Sequence, residues 1–264
     1  MLELIQITND PDFARRCEAI GGIRLWVDLE SLGKAQRQAG RNTFLSTHVM
    51  DDVGRIRQVL KRSRLMVRVN PLNPATGEEV DAVLAQGADL LMLPMFSTSD
   101  EIRRFSALVA GRAPIVPLIE TTGAVKTLPE WIGAPGLCEL YVGLNDLHIS
   151  MGLRFMFEPL AMGVVDRVAA AAKKQGLPFG FGGIARLDEG QLPGRDVLAE
   201  HLRLGSGAVI LSRSFNGQRL GAAFEEQVAA LRRTESLLAQ RDAAQVEADR
   251  QRIAVTITRI AAPG

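Results

Sequence analysis

The stretch Pro114-Ile115-Val116-Pro117-Leu118-Ile119-Glu120-Thr121 is an apolar run that stops on an acid. Leu140-Tyr141-Val142-Gly143-Leu144-Asn145-Asp146-Leu147 repeats the device and stops on Asn145-Asp146. Between them Leu128, Trp131 and Ile132 fall in phase on one helical face, so the unit reads strand, helix, strand. In a parallel β/α architecture, neighbouring strands deliver their C-terminal residues to one face, where chemistry is done. Two carboxylates there, Glu120 and Asp146, form a candidate site for a hard divalent cation, which favours oxygen ligands and keeps positions open for substrate. A structural hydrogen-bond or ion pair at a barrel rim is the plain alternative.

Working outward, the same alternation fills most of the chain. Leu2 to Ile7 reads as a strand, and Asp10-Pro11 as a cap and first-turn proline ahead of Phe13, Cys17 and Ile20. Ile23 to Leu29 is a strand ending at Asp28-Leu29-Glu30. Asp51 to Leu60 is helical, and Leu65 to Val69 is a strand ending on Asn70-Pro71. Thr76 and Glu79 form a capping-box signature ahead of Val80, Val83 and Leu84. Leu90 to Leu93 is a strand, with a helix opening at Ser99-Asp100-Glu101. A helix near Pro159 to Lys174, a strand from Pro178 to Phe181, a helix through Leu198 and Leu202, and a strand from Ala208 to Leu211 complete the series. Eight strands separated by helices predict an α/β fold, a (β/α)₈ TIM barrel over residues 1–217. Asn42 to His48 would be a loop insertion.

Residues 218–264 differ in character. Phe224, Val228, Leu231 and Leu238 mark a helical face, and Arg241 to Arg252 is mostly charged or alanine-rich. An extended C-terminal helix reaching past the barrel toward a neighbouring subunit is expected. Ile253, Val255 and Ile257 alternate, which predicts a short extended segment, with a frayed terminus as the plain alternative.

Bulk properties exclude several classes. A formal charge of +1 argues against a global attraction to nucleic acid or to an anionic membrane. One tyrosine and few other aromatics leave little surface for base stacking. The isolated Cys17 and Cys138 suit a reducing compartment, and no targeting signal or membrane-spanning run is legible. A cytoplasmic protein is expected.

Several strand ends carry polar residues in a telling order. Gly180-Phe181-Gly182-Gly183-Ile184 either lets backbone N–H groups approach an anionic substrate or is a tight turn that needs glycine. Arg213, after the last strand, is a candidate for substrate contact or a rim ion pair. Gly182 and Gly183 beside Ser212-Arg213 hint at a second anionic group on the ligand, as in a phosphorylated or dicarboxylate substrate. His201 sits within a helix and reads as structural.

Asp28-Leu29-Glu30, Val67-Arg68-Val69-Asn70-Pro71, Gly87-Ala88-Asp89 with Leu93-Pro94-Met95, Ile119-Glu120-Thr121 and Gly143-Leu144-Asn145-Asp146-Leu147 together resemble the HpcH/HpaI aldolase and citrate lyase β-subunit family. The resemblance runs from about Ile23 to Phe215. It implies a pyruvate/phosphoenolpyruvate-type barrel in which Glu120 and Asp146 hold Mg²⁺ or Mn²⁺. Arg68 would bind the carboxylate and oxo oxygen of a 2-oxo acid, or else merely pair with Asp28 or Glu30. Those two acids would orient metal-bound waters and Arg68.

The implied activity is a metal-dependent carbon–carbon lyase of the class II aldolase type, joining or parting a pyruvate-like enolate and an aldehyde. Relatives commonly form trimers or hexamers, so a homo-oligomer is implied. The chain departs from the family where the aldolase branch has a histidine after the glutamate. Here Ser31 stands there, and Ala85 takes the place of that histidine's aspartate partner. His48 is the replacement candidate for proton transfer, and His148 a second candidate and substrate contact. Lys34 and Arg37 resemble the citrate lyase branch and suggest a second reading, an acyl-CoA lyase. The missing histidine–aspartate pair suggests a third, a metabolite-binding barrel without catalysis.

Overall fold

The structure, a computed structural model, describes residues 1–33, 47–215 and 220–262. Eight parallel strands close a barrel in sequence order. They are β1 (Glu3–Ile7), β2 (Ile23–Asp28), β3 (Leu65–Arg68), β4 (Leu90–Leu93), β5 (Ile115–Ile119), β6 (Leu140–Val142), β7 (Phe179–Ile184) and β8 (Ala208–Leu211). The helices between them are α1 (Pro11–Ile20), α2 (Met50–Arg57), α3 (Thr76–Ala85), α4 (Ser99–Val109), α5 (Thr122–Lys126), α6 (Leu128–Trp131), α7 (Leu144–Ser150), α8 (Glu158–Ala161), α9 (Val164–Gln175) and α10 (Gly194–Leu204). Helices α11 (Phe224–Leu238) and α12 (Ala243–Ala261) follow the last strand. Residues 5–140 form one compact unit, and residues 1–4 with 141–264 form another.

In the first unit, local chemistry sets the element ends. Asp10 caps α1 by accepting from the Asp12 and Phe13 amides, with Pro11 in the first turn. Thr98 and Glu101 form a reciprocal capping box on α4. The box expected at Thr76 and Glu79 is not formed. Ala75 occupies the cap position, Thr76 Oγ1 accepts from the Asn73 amide, and the Glu79 carboxylate turns to Asn70. The polar partners of these two residues lie in the β3–α3 loop, which outcompetes the local motif.

The strands of this unit are buried throughout, as a parallel sheet covered by helices requires. Register pairs Asp28 with Arg68 and Trp26 with Met66. Period-two alternation therefore puts Arg24, Trp26 and Asp28 on one face with Met66 and Arg68. At the N-terminal end of that column, Arg24 Nη2 meets Glu139 Oε2 at 2.7 Å with both side chains buried. Trp131 is fully buried, edge-on to Phe96 at 5.0 Å, and its Nε1–H donates to the Ala124 carbonyl at 3.0 Å.

In the second unit, the C-terminal segment departs from expectation. The helix expected over Pro159 to Lys174 is interrupted by Gly163 at φ 69° and becomes α8 and α9. The expected extended segment at Ile253 to Ile257 is helical. Ile253 and Ile257, four apart, are buried, while Val255 is 68% exposed. Two apolar residues at that spacing fit one helical face as well as a strand, and only the exposure of the residue between them decides. Helix α12 packs on α8 and α10 of its own chain. Arg252 makes a two-pronged contact with Asp196, at 3.0 and 2.7 Å. Helix α11 anchors the N-terminus: the Leu2 amide donates to Glu235 Oε1 at 2.6 Å and Arg232 donates to the Leu2 carbonyl.

Candidate active site

Glu120 directly follows β5, and its carboxylate is buried. The Met95 amide, just past β4, donates to Glu120 Oε1 at 3.0 Å. Met95 adopts φ 57°, a left-handed conformation that costs a non-glycine residue about 1 kcal/mol. That strain is tolerated because the neighbouring loops are stitched together. Thr121 Oγ1 donates to the Phe96 carbonyl at 2.7 Å and accepts the Ala124 amide, which caps α5. Gly123 is required there, since a Cβ would lie 2.5 Å from the Ser97 carbonyl oxygen.

Arg68 ends β3 opposite Asp28. Its Nε and Nη2 both donate to the Asp28 carboxylate at 2.8 Å, and Nη2 lies 3.2 Å from Glu30 Oε2. The indole of Trp26 lies beneath, with the guanidinium carbon 4.9 Å from the ring centre. Burial opposes the charge on Arg68, but Asp28 and Glu30, with a further contribution from Glu120, hold its pKa above the usual arginine value. Arg68 is therefore a fixed cation inside a ring of buried acids. The pairing of Arg68 with Asp28 and Glu30 that the sequence left open is present.

Two polar groups position this cluster. Asn70 Oδ1 accepts the Ser31 and Leu32 amides at 2.9 and 3.0 Å, and its Nδ2 donates to Glu79 at 2.8 Å. Asn70 thus ties the loop carrying Glu30 to α3. His48 reaches the end of β2, where its Nδ1 accepts the Asp28 amide at 3.1 Å. Ala85, the counterpart suggested for an aspartate partner, is exposed at the last turn of α3. Lys34, Arg37 and positions 42–46 of the expected insertion lie outside the described residues.

In the second unit, Asp146 is buried in the first turn of α7. His148, also buried, has Nδ1 3.2 Å from the Leu144 carbonyl of its own helix. Gly182 and Gly183 sit in an irregular register between β7 and β8, with Gly182 at φ 53°. Tyr141 is the reason: its hydroxyl donates to the Gly182 carbonyl at 2.8 Å and accepts the Ile210 amide at 2.9 Å. A Cβ at Gly180 would lie 2.5 Å from the tyrosine ring. Gly180 makes room for the buried tyrosine, while a Cβ at Gly182 would meet Leu144 instead. Arg213 is exposed in a short 3₁₀ turn, Arg213–Phe215. His201 is fully buried and stacks on Phe181 at 3.8 Å, and Nδ1 pairs with Ser206 Oγ at 2.8 Å. Burial pushes its pKa down to about 3, so it is a neutral structural group.

Among the described residues, no group of three or more His, Cys, Asp or Glu side chains is disposed as a metal cage. No helix among them is long and apolar enough to cross a membrane. The positioning roles of Asn70, Glu79, Met95, Trp26 and Tyr141 escaped sequence reasoning. Tyr141, the chain's single tyrosine in a strand facing a glycine-rich one, was the signal most open to notice.

An eight-stranded parallel barrel with buried acids and an arginine at its strand ends places this chain among the α/β barrels, which carry their sites at that end. The pattern of the HpcH/HpaI aldolase/citrate lyase family matches residues 8–181, and the chain belongs to that family. Its fold is similar to an HpcH/HpaI aldolase from Desulfitobacterium hafniense DCB-2, at 16% identity and a TM-score of 0.63, covering 88% of this chain and 93% of that one. An HpcH/HpaI aldolase/citrate lyase family protein from Burkholderia cenocepacia J2315 is similar at 18% identity and 0.64, covering 85% and 94%. The citrate lyase β subunit of M. tuberculosis, complexed with oxaloacetate and magnesium, is similar at 15% identity and 0.62, covering 89% and 96%. No curated protein matches in sequence.

Proposed function

We propose that this chain is a divalent-metal-dependent carbon–carbon lyase that handles a 2-oxo acid as a pyruvate-like enolate, with an aldehyde as the other reactant. The observation that carries the reading is the buried cluster of Arg68 with Asp28 and Glu30, on which the Glu120 charge also acts. The donor set suits the implied ion, since these are oxygen ligands of the kind Mg²⁺ and Mn²⁺ prefer. Glu120 and Asp146 would hold the ion, which supplies Lewis-acid polarisation of a carbonyl when bound.

The chain's own residues do the rest. Arg68 offers a permanent positive charge to the carboxylate and oxo oxygen of the substrate. Asp28 and Glu30 fix its orientation, and Trp26 forms an apolar floor that keeps water from its lower face. His48, the candidate for proton transfer, stands at the end of β2 beside Asp28. His148, Gly182, Gly183 and Arg213 are proposed to line the substrate's remaining length. The protein is also proposed to work in the cytoplasm as a homo-oligomer, a trimer or hexamer. Its cysteines are free thiols, which suits a reducing compartment.

A second reading, a citrate-lyase-like acyl-CoA lyase, is favoured by the likeness to the oxaloacetate- and magnesium-bound β subunit. Incubating the protein with Mg²⁺ separates the two. Carbon–carbon bond formation from pyruvate and small aldehydes supports the first reading. Condensation of acetyl-CoA with glyoxylate and none with pyruvate supports the second. Inertness in both, with saturable pyruvate binding, contradicts both and leaves a binding protein.

A further inference from the structure

The bond between His48 and the end of β2 fixes more than the position of the ring. Alternate amides of a strand point to opposite neighbours. In β2 the Leu25 and Leu29 amides donate to Arg64 and Arg68 on the β3 side. The Asp28 amide therefore points the other way, toward the path of β1, which has ended at Ile7. The His48 imidazole takes that place and accepts the amide at Nδ1. A backbone N–H is a donor in every circumstance, so Nδ1 must present its lone pair. The ring carries its proton on Nε2, and neither the imidazolium nor the Nδ1–H form is compatible with this bond.

We infer that His48 is locked as the neutral Nε2–H tautomer and serves the reaction as a hydrogen-bond donor to a developing oxyanion, not as the base that removes a proton. The role assigned to the donor rests on the lyase reading. A base must offer a lone pair to the substrate. In His48 the lone pair faces the backbone of Asp28, while Nε2 already bears hydrogen. A neutral imidazole donor is matched to an enolate or alkoxide, as in triosephosphate isomerase, where a neutral histidine polarises the carbonyl. His48 is bonded to the backbone of Asp28, the same residue whose carboxylate holds Arg68, so both donors are anchored at one strand end.

The nitrogen spectrum of the wild-type protein tests the tautomer without any assay of activity. With ¹⁵N-labelled histidine at neutral pH, and the His48 signals assigned by their loss in His48→Asn, Nε2 should appear protonated and Nδ1 unprotonated. A protonated Nδ1 overturns the inference. Three variants test the donor role through deuterium exchange into pyruvate. His48→Ala should lower exchange about 10²-fold, the usual effect of deleting one oxyanion donor. His48→Gln places an amide N–H near the Nε2 position and should recover about tenfold or more of that loss. His48→Asn keeps an acceptor for the Asp28 amide but no donor at Nε2, and should recover none. Rescue by Asn and not by Gln would make His48 a wall latch and overturn the donor role. Wild-type protein silent in exchange would sink the lyase reading, and the nitrogen spectrum would still decide the tautomer.

Discussion

Tyr141→Phe removes one oxygen and leaves the ring. The hydroxyl donates to the Gly182 carbonyl at 2.8 Å, with the Phe181 carbonyl farther off at 3.3 Å, and accepts the Ile210 amide at 2.9 Å. Phenylalanine keeps the packing against Gly180, so the change isolates the polar contacts. Each net hydrogen bond contributes about 1 kcal/mol, and a buried amide or carbonyl left unmatched costs about 1–3 kcal/mol. With one donor and one acceptor affected, the variant should lose about 2–4 kcal/mol. At a urea dependence of about 3 kcal/mol per molar, the unfolding midpoint should drop by about 1 M, with the slope unchanged. Equilibrium urea unfolding followed by circular dichroism reads this directly. A loss below about 0.5 kcal/mol would show that the hydroxyl does not organise the β7–β8 irregularity, and the structural explanation of Gly180 and Gly182 would fall with it.

Two further outcomes follow from buried charges. Glu139→Ala removes the carboxylate 2.7 Å from buried Arg24 and should cost about 3–5 kcal/mol, whereas the Arg24→Met, Glu139→Leu pair should be nearly neutral or stabilising in the same unfolding assay. His201 has a folded pKa of about 3 against 6.5 for the free side chain. Below about pH 6.5 the unfolded chain binds a proton there that the folded chain refuses, so stability falls with pH by about 1.4 kcal/mol per unit until about pH 3. His201→Phe should remove that slope between pH 5 and 6, measured as the difference from wild type, and an unaltered slope would contradict a neutral buried imidazole.

The barrel was legible because the strands are short apolar runs and the longer helices between them carry their own periodicity. Glu120 and Asp146 stood out as acids closing apolar runs, whereas Arg68 was singled out by the family resemblance. What escaped were contacts set by partners distant in sequence. Glu79 spells a capping box, but Asn70 claims it across the β3–α3 loop. Gly180 is needed because the Tyr141 ring, from a different strand, lies against it. Ile253 and Ile257 suit a strand or a helix equally, and packing against α8 and α10 decides for helix. The pairing of His48 with a backbone amide is likewise invisible in sequence, because it depends on where β1 stops.

The most direct measurement is proton nuclear magnetic resonance of pyruvate in deuterium oxide with the protein and Mg²⁺. A metal–enolate site predicts loss of the pyruvate methyl signal through exchange, restored to the solvent background by excess EDTA and by Glu120→Ala. Enzyme-dependent exchange that persists in EDTA and in Glu120→Ala would contradict the metal role of Glu120. The absence of any exchange above background in the wild-type protein would contradict enolate chemistry.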